Sequence, residues 1–534
     1  MGSKKRVWGF IFSTIVTLAI GIVIGNIISG KSLGRKLFLT PNNKISVILD
    51  IINQDYVDSV NMKELTENAI ANIIKELDPH SSYIPEKELQ SVNEDMEGHF
   101  GGLGISYYFH KDTIVITNIT HGGPTSQAGL LPGDRIIYVN DSLFVGPHIT
   151  EDLILQTFRG HVGTSVKLGI KRNSSDEIFS YSIIRDDIPL NTIKAACEIS
   201  DGIGLIKIYD KFSHSTYDEF IGAITKLTAK GCKSFIIDLR MNGGGSLDAA
   251  VRIVNEFLPA GRMIVYAEGK SFPRLESISD GSGNFPENKV IILMDQMSAS
   301  ASEVVAGALQ DNDRGLIIGR RSFGKGLIQN QVELSDNSAI RLTTARYFTP
   351  SGRNIQRKYE LGKSDEYNQS WIDQLNNGEG FHADSIKIDT TLVYKTVEGK
   401  TVYGGGGIIP DIFVPIDTTH LSSYYIKLEN HDIFNKFAFE YFDKNTHLKN
   451  EYPNYQTMLS YLNTQPILYE IIRFAEENGI RRRSNPITRS ASQITANASA
   501  YILNNFFGDE AFYTIQLQND PMVLKAIEAM QAME

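Results

Sequence analysis

At 534 residues the chain is too long for one ordinary domain, and 42% hydrophobic with 21% charged content is the composition of folded globular protein, so three or four units are expected. The formal charge of −10, from 52 basic and 62 acidic residues, argues against a nucleic-acid partner, because holding phosphates needs a basic surface. Two cysteines, Cys197 and Cys232, exclude a disulfide framework, and free thiols rather than one bridge are expected.

The N-terminus carries Lys4, Lys5 and Arg6, then an uncharged run from Val7 to Gly30. As a helix that run rises about 36 Å, enough to cross a hydrocarbon core with some tilt. The basic flank stays in the cytoplasm, which puts everything after Lys31 on the far side of the membrane. A signal peptide removed on export is the competing reading, but no A-x-A-like cleavage site follows. Residues 43–95 then show apolar recurrence near 3.6, in ISVILDIINQDYV and LTENAIANIIKEL, and read as helices. LDPHSSYIP breaks the pattern with two prolines, and nothing in the helices points to chemistry.

From Gly98 to about Arg185 the texture becomes short alternating strands with glycine turns, and ITEDLILQTFRG is helical between them. HFGGLGI, GGPTSQAGLLPGDRIIYVN and RGHVGTSVKL together resemble a PDZ domain. Such modules capture a C-terminal carboxylate on the N–H groups of a glycine-containing loop while the peptide adds a strand to the sheet edge. The resemblance implies Gly102, Leu103, Gly104 and Ile105 as that loop.

After Pro189 apolar strands alternate with amphipathic helices: GIGLIKI, KSFIIDLR and KVIILMD, each followed by a helical segment. This is an α/β core whose strands are buried on both faces. Within it, GRRSFGKG matches a phosphate loop up to Lys325. The next residue is Gly326 instead of Ser or Thr, and LIQNQVEL alternates like a strand where a phosphate loop needs a helix. Nucleotide binding is therefore rejected. Residues 361–385 are polar and turn-rich and read as an insertion; YGGGGIIPDIFVP returns to a strand. From about His420 the chain is helical again, with SNPITRSASQ as an exposed loop.

MSASASEVVAGALQD places serines at the junction of a strand and a helix. Ser300 with Glu303 fits a helix-capping box, the bland reading of that pair. A nucleophile also benefits from this address, since helix N–H groups stabilise an oxyanion. Serine needs a base to take its proton. No histidine falls between the glycine turn at 243–245 and Lys325, whereas a desolvated lysine can serve. On a strand Lys325, Leu327 and Gln329 share one face, so the Gln329 amide could orient the amine.

MSASASEVVAGALQDNDRGLIIGRRSFGKGLIQ, with IIDLRMNGGGS before it and ARYFTPSGRNIQ after it, resembles the carboxyl-terminal processing peptidases, also called tail-specific proteases. They are serine endopeptidases with a Ser-Lys dyad and a PDZ domain. The resemblance covers roughly residues 70–415, including LDPHSSYI and GGIIPDI. It implies Ser300 as nucleophile, Lys325 as general base and Gln329 as the residue that positions it. It also implies an oxyanion hole from the Ala301 N–H and Gly244 or Gly245. Family members commonly carry proline where this chain has Gly243, so the oxyanion glycine stays open, and Ser298 and Ser302 remain alternatives to Ser300.

The expected architecture is multidomain α/β + β. A membrane helix or signal segment (1–30) precedes a helical region (31–96), a PDZ domain (97–186), an α/β peptidase core of the crotonase/ClpP-like type (187–415) and a C-terminal helical region (416–534). The expected activity is endoproteolysis near protein C-termini, without cofactor or metal, by a single-pass protein of the cytoplasmic membrane whose catalytic part faces the periplasm or cell exterior. Expected partners are protein substrates held by their C-terminal tails, and a homo-oligomer is left open. The rival readings are a tethered PDZ scaffold whose core no longer cuts, and acyl chemistry of the crotonase type.

Overall fold

The computed structural model describes residues 44–172, 175 and 177–533. The expected membrane segment, residues 7–30, lies outside them; among the described residues no helix is long and apolar enough to cross a membrane. The chain divides into two compact units, up to Leu77 and from Asp78 onward. The described part of the first unit is two helices, α1 (Lys44–Asp55) and α2 (Met62–Lys75). Asn61 caps α2 by accepting from the Glu64 N–H at 3.3 Å.

The second unit opens with a short strand, β1 (Ser82–Ile84), and helix α3 (Glu86–Glu97), which stops at Gly98 in the left-handed conformation (φ 86°). A two-stranded neck, His99–Gly102 against Asp186–Pro189, then frames the PDZ domain. Its sheet runs β2 (Ile105–His110), β3 (Thr113–Ile119), β4 (Arg135–Val139), β5 (Ser165–Lys171) and β6 (Ile178–Ile184), all antiparallel, with helix α4 (Glu151–Phe158). Alternating apolar residues close one core around Ile114, Ile116, Ile136, Leu168, Ile170 and Ile154. Strand β2 is the edge of this sheet.

The α/β core is a six-stranded sheet in the order β7 (Ile193–Ser200), β8 (Ile203–Ile208), β9 (Ser234–Asp238), β13 (Lys289–Met294), β14 (Gly315–Gly319) and β17 (Ile412–Phe413). Only the β7–β8 pair is antiparallel. Helices α5 (Thr216–Ala229), α6 (Leu247–Asn255) and α7 (Ala301–Asp311) cover one face. The short strand β10 (Asn242–Gly245) carries the glycine turn. A second, antiparallel sheet joins β1, β16 (Ala339–Phe348), β11 (Met263–Gly269) and β12 (Phe272–Ile278), with β15 (Leu327–Glu333) paired to β16. In the 361–385 segment, expected to be turn-rich, helix α8 (Ser364–Gln374) forms, followed by a short π-helical turn.

The C-terminal region contains α9 (Ser423–Asn430), α10 (Ile433–Lys444), α11 (Tyr455–Leu462), α12 (Ile467–Glu477), α13 (Ser484–Phe507), α14 (Asp509–Gln518) and α15 (Pro521–Ala532). SNPITRSASQ, expected as an exposed loop, is the first part of α13 and buries Ile487 and Ser490. Pro486 does not stop the helix because first-turn N–H groups have no intrahelical partner to lose. The last two helices cover the second face of the parallel sheet: Leu517, Met522, Val523, Ala526 and Met530 pack on Leu205, Ile236, Ile291 and Ile318. Each large side chain buried there contributes about 1.5–3 kcal/mol. Asp520 caps α15 by accepting from the Met522 and Val523 N–H groups (2.9 and 3.0 Å), and Arg240 grips the same carboxylate with two bonds of 2.8 Å. Cys197 and Cys232 are both buried and free.

Helix α10 also holds the PDZ sheet. The Phe439 ring stacks on Tyr108 of β2 with centroids 4.3 Å apart, and Asp443 accepts two bonds from Arg135 Nη2 (2.9 and 2.7 Å).

Candidate active site

The turn after β13 is fastened to the turn after β9 by two of the three candidate serines. Ser298 Oγ donates to the Leu239 carbonyl (2.9 Å) and accepts from the Asp295 N–H (2.9 Å). Ser302 Oγ lies 3.0 Å from the Asn242 carbonyl and 2.9 Å from its Oδ1. Both serines are fully buried. Ser300, between them, lines a cleft of about 970 Å³. Its backbone is held at φ 55°, ψ −113°, a conformation that costs about 1–3 kcal/mol and persists only where the surroundings enforce it.

The surroundings do so through Glu303. This carboxylate is fully buried in α7 and accepts from the N–H groups of Ser300 (2.8 Å), Lys325 (2.8 Å) and Gly324 (2.7 Å), and from Ser322 Oγ. The carboxylate half of the expected capping box therefore exists, and it bridges the serine turn to the lysine loop. Burial pushes the Glu303 carboxyl up to about 7 despite these four donors. Tyr347 Oη adds a second bridge, 3.0 Å from the Ser300 carbonyl and 2.7 Å from that of Lys325.

Lys325 reaches the same cleft. Its Nζ donates to Gln329 Oε1 at 2.9 Å. Strand β15 starts only at Leu327, two residues later than the alternation implied, yet the lysine and the amide still meet. Burial lowers the Lys325 pKa and the Arg341 guanidinium lowers it further, while Asp78 and Glu303 act in the opposite sense. An amine in such a setting surrenders its proton more readily than a solvated lysine. Gly326 has its N–H on Gln356 Oε1 (2.8 Å) and leads into a strand, so no helix starts after Lys325 as a phosphate loop requires.

The glycine turn forms the opposite wall. A Cβ on Gly244 (φ 98°) would stand 2.6 Å from Ser300 Cβ and 3.0 Å from the Ala301 nitrogen. On Gly245 (φ 133°) it would meet the Phe212 carbonyl oxygen at 2.1 Å, whereas on Gly243 nothing lies closer than 3.8 Å. The Gly244 N–H donates to Asn242 Oδ1 at 2.9 Å in this conformation. Ala301 is the first residue of α7, where an N–H has no partner within the helix. Helix α3 roofs the cleft with Val92, Asp95 and Met96, and Asp95 pairs with Lys211 at 2.7 Å.

In the PDZ domain, Gly102 ends the neck strand, the Leu103 side chain is buried, and its carbonyl accepts from Thr125 Oγ1. Gly104 (φ 70°) turns the chain into Ile105, the first residue of edge strand β2. The four expected loop residues thus sit together at the start of that edge.

Sequence reasoning missed the turn at Asp78–Ser81. The His80 carbonyl accepts from Gln329 Nε2 at 2.6 Å, and the His80 ring packs edge-on against Phe323 and Tyr367. Burial lowers the His80 pKa to about 4, so the ring is neutral. The only signal was the LDPHSSYI stretch itself, which the resemblance to the carboxyl-terminal processing peptidases covers without implying a role for it.

A PDZ domain joined to an α/β core with a serine in a glycine-walled cleft is the arrangement expected of a serine protease, and the match to a peptidase family model places the chain in that class. The comparisons with known proteins name its kind. The model of peptidase family S41 matches residues 202–363, a PDZ domain model matches 101–183, and a family of unknown function (DUF8443) matches 424–508. A probable CtpA-like serine protease of Staphylococcus haemolyticus is 34% identical over 365 residues, covering 66% of this chain and 72% of that protein. A carboxy-terminal-processing protease of Bartonella bacilliformis is 35% identical over 314 residues, covering 58% and 71%. The photosystem II D1 C-terminal processing protease is a structural neighbour at a TM-score of 0.36 and 22% identity, covering 71% of this chain and 95% of that one. The chain belongs to the carboxy-terminal-processing serine proteases of peptidase family S41. It is a serine endopeptidase that carries a PDZ domain.

Proposed function

We propose that cleavage runs on Ser300 and Lys325. Lys325 Nζ, neutral and steadied by Gln329, takes the Ser300 proton as Oγ attacks a peptide carbonyl carbon. The same amine returns that proton to the leaving nitrogen, the C–N bond breaks, and an acyl-serine remains. Water then attacks the ester with Lys325 again as base, releasing the new C-terminus and restoring the hydroxyl. The Ala301 N–H and an N–H of the glycine turn receive the developing oxyanion, Gly244 once it turns from Asn242, or Gly245. The observation that carries this reading is Glu303, whose one carboxylate binds the backbone N–H of both Ser300 and Lys325 at 2.8 Å.

The loop Gly102–Ile105 and edge strand β2 take the C-terminal tail of a protein substrate, as PDZ modules do. Residues 7–30 anchor the chain in a membrane with the catalytic part outside the cytoplasm, because the basic flank stays inside. The test is digestion of an unstructured protein with an apolar C-terminus by wild type, Ser300→Ala and Lys325→Ala. Both variants should fold and be inactive; turnover by either refutes the dyad. Tail binding without turnover by the wild-type chain would instead support a PDZ scaffold.

A further inference from the structure

Gln329 can serve Lys325 only if the right end of its amide faces the amine, since a half-turn would set –NH2 against Nζ. The orientation is fixed from behind, where Nε2 donates to the His80 carbonyl at 2.6 Å. That carbonyl belongs to a turn built on one buried carboxylate. Asp78 Oδ1 accepts from the N–H groups of His80 and Ser81 (2.9 Å each) and from Thr343 Oγ1 (3.1 Å), and Oδ2 accepts from Ser81 Oγ (2.6 Å). The Thr343 N–H donates to Ser81 Oγ at 3.0 Å, and Thr343 is the residue directly opposite Gln329 in the β15–β16 ladder. The turn is therefore bolted to the strand position across from the amide it holds.

We propose that Asp78 is a positioning residue for peptide hydrolysis: its carboxylate sets the His80 carbonyl against the Gln329 amide, and through that amide aims the Lys325 amine. The proposal rests on Lys325 being the base. Asp78 also faces that amine electrostatically and favours its ammonium form, as does Glu303 of α7; Arg341 of β16 opposes them, and His80 is neutral. An aspartate that merely stabilised its turn would change the folded fraction but neither the turnover of folded enzyme nor its pH profile.

The experiment measures kcat, KM and thermal midpoint of the full chain on the unstructured substrate, for wild type, Asp78→Ala, Asp78→Asn and Ser300→Ala. Asp78→Ala should lower kcat about 10²-fold, the scale set by a misplacement near 1 Å. Its KM should stay within about twofold, because substrate binding is not touched. Asp78→Asn keeps an acceptor for the His80 and Ser81 N–H groups and should lose less than about tenfold in kcat. In this variant the acid limb of kcat/KM should move to lower pH, since a negative charge favouring the ammonium has gone. If Ser300→Ala is inactive while Asp78→Ala retains wild-type kcat, the proposal falls and the dyad stands. An unmoved acid limb in Asp78→Asn, with any loss in Asp78→Ala matched by unfolding, also overturns it. Activity in Ser300→Ala would instead remove the dyad beneath it.

Discussion

Replacing Gly244 by alanine tests whether the glycine wall sets the position of Ser300, the proposed nucleophile. The added methyl would lie 2.6 Å from Ser300 Cβ, 2.8 Å from the Ala299 oxygen and 3.0 Å from the Ala301 nitrogen. Carbon–carbon contacts are comfortable at about 3.5–4.0 Å, so the serine turn must retreat by about 1 Å. Ser298 and Ser302 resist that retreat, being hydrogen-bonded to Leu239 and Asn242. At φ 98° the alanine itself adds about 1–2 kcal/mol of strain. With Ser300 as the proposed nucleophile, a displacement of this size costs about 10²-fold in rate. Initial rates on the unstructured substrate and a thermal melt on the same preparation measure both effects. Gly243→Ala, whose methyl meets nothing within 3.8 Å, provides the comparison and should lie within about 0.5 kcal/mol of wild type. Wild-type kcat in folded Gly244→Ala would refute the reasoning.

With Lys325 as the proposed base, which works only when neutral, activity should rise with pH through a lysine pKa below 10.5; Arg341→Gln removes a neighbouring cation, raises that pKa and moves the acid limb of kcat/KM upward. Glu303→Gln cannot accept at both ends of its side chain, so buried N–H donors lose partners worth about 1–3 kcal/mol each, and both melting temperature and kcat should fall. A double-mutant cycle on Arg135→Ala and Asp443→Ala, read by denaturant unfolding, should give a coupling of about 1 kcal/mol, reflecting paired hydrogen bonds in a largely shielded position. Alkylation after unfolding without reductant should label both Cys197 and Cys232, and an unlabelled pair would reveal a bridge.

Local patterns made much of this chain legible. The alternation in SASASE put three hydroxyls in contention, and only the fold reveals that Ser298 and Ser302 fasten two turns together while Ser300 lines the cleft. Gly326 in place of a hydroxyl residue was enough to dismiss a phosphate loop, and the strand that follows agrees. The apolar strands announced burial on both faces, but not that residues 517–530, more than 200 positions beyond most of them, provide the second cover. Pro486 misled because its neighbours look like a loop, while a proline in the first turn of a helix costs little. The proposed part of Asp78 and His80 could not be read from the sequence because it runs through a carbonyl 249 residues away from its partner, and a main-chain acceptor leaves no mark on side-chain identity.

The grip of α10 on the PDZ sheet bears on how the two modules can be separated in the laboratory. Excising residues 101–183 would strip Tyr108 from Phe439 and leave Asp443 without its guanidinium. A truncated enzyme would thus gain a sticky aromatic patch and an orphaned anion along with the loss of the proposed tail capture, and its phenotype would mix the two. Grafting a foreign PDZ module that preserves those two contacts would isolate recognition from solubility.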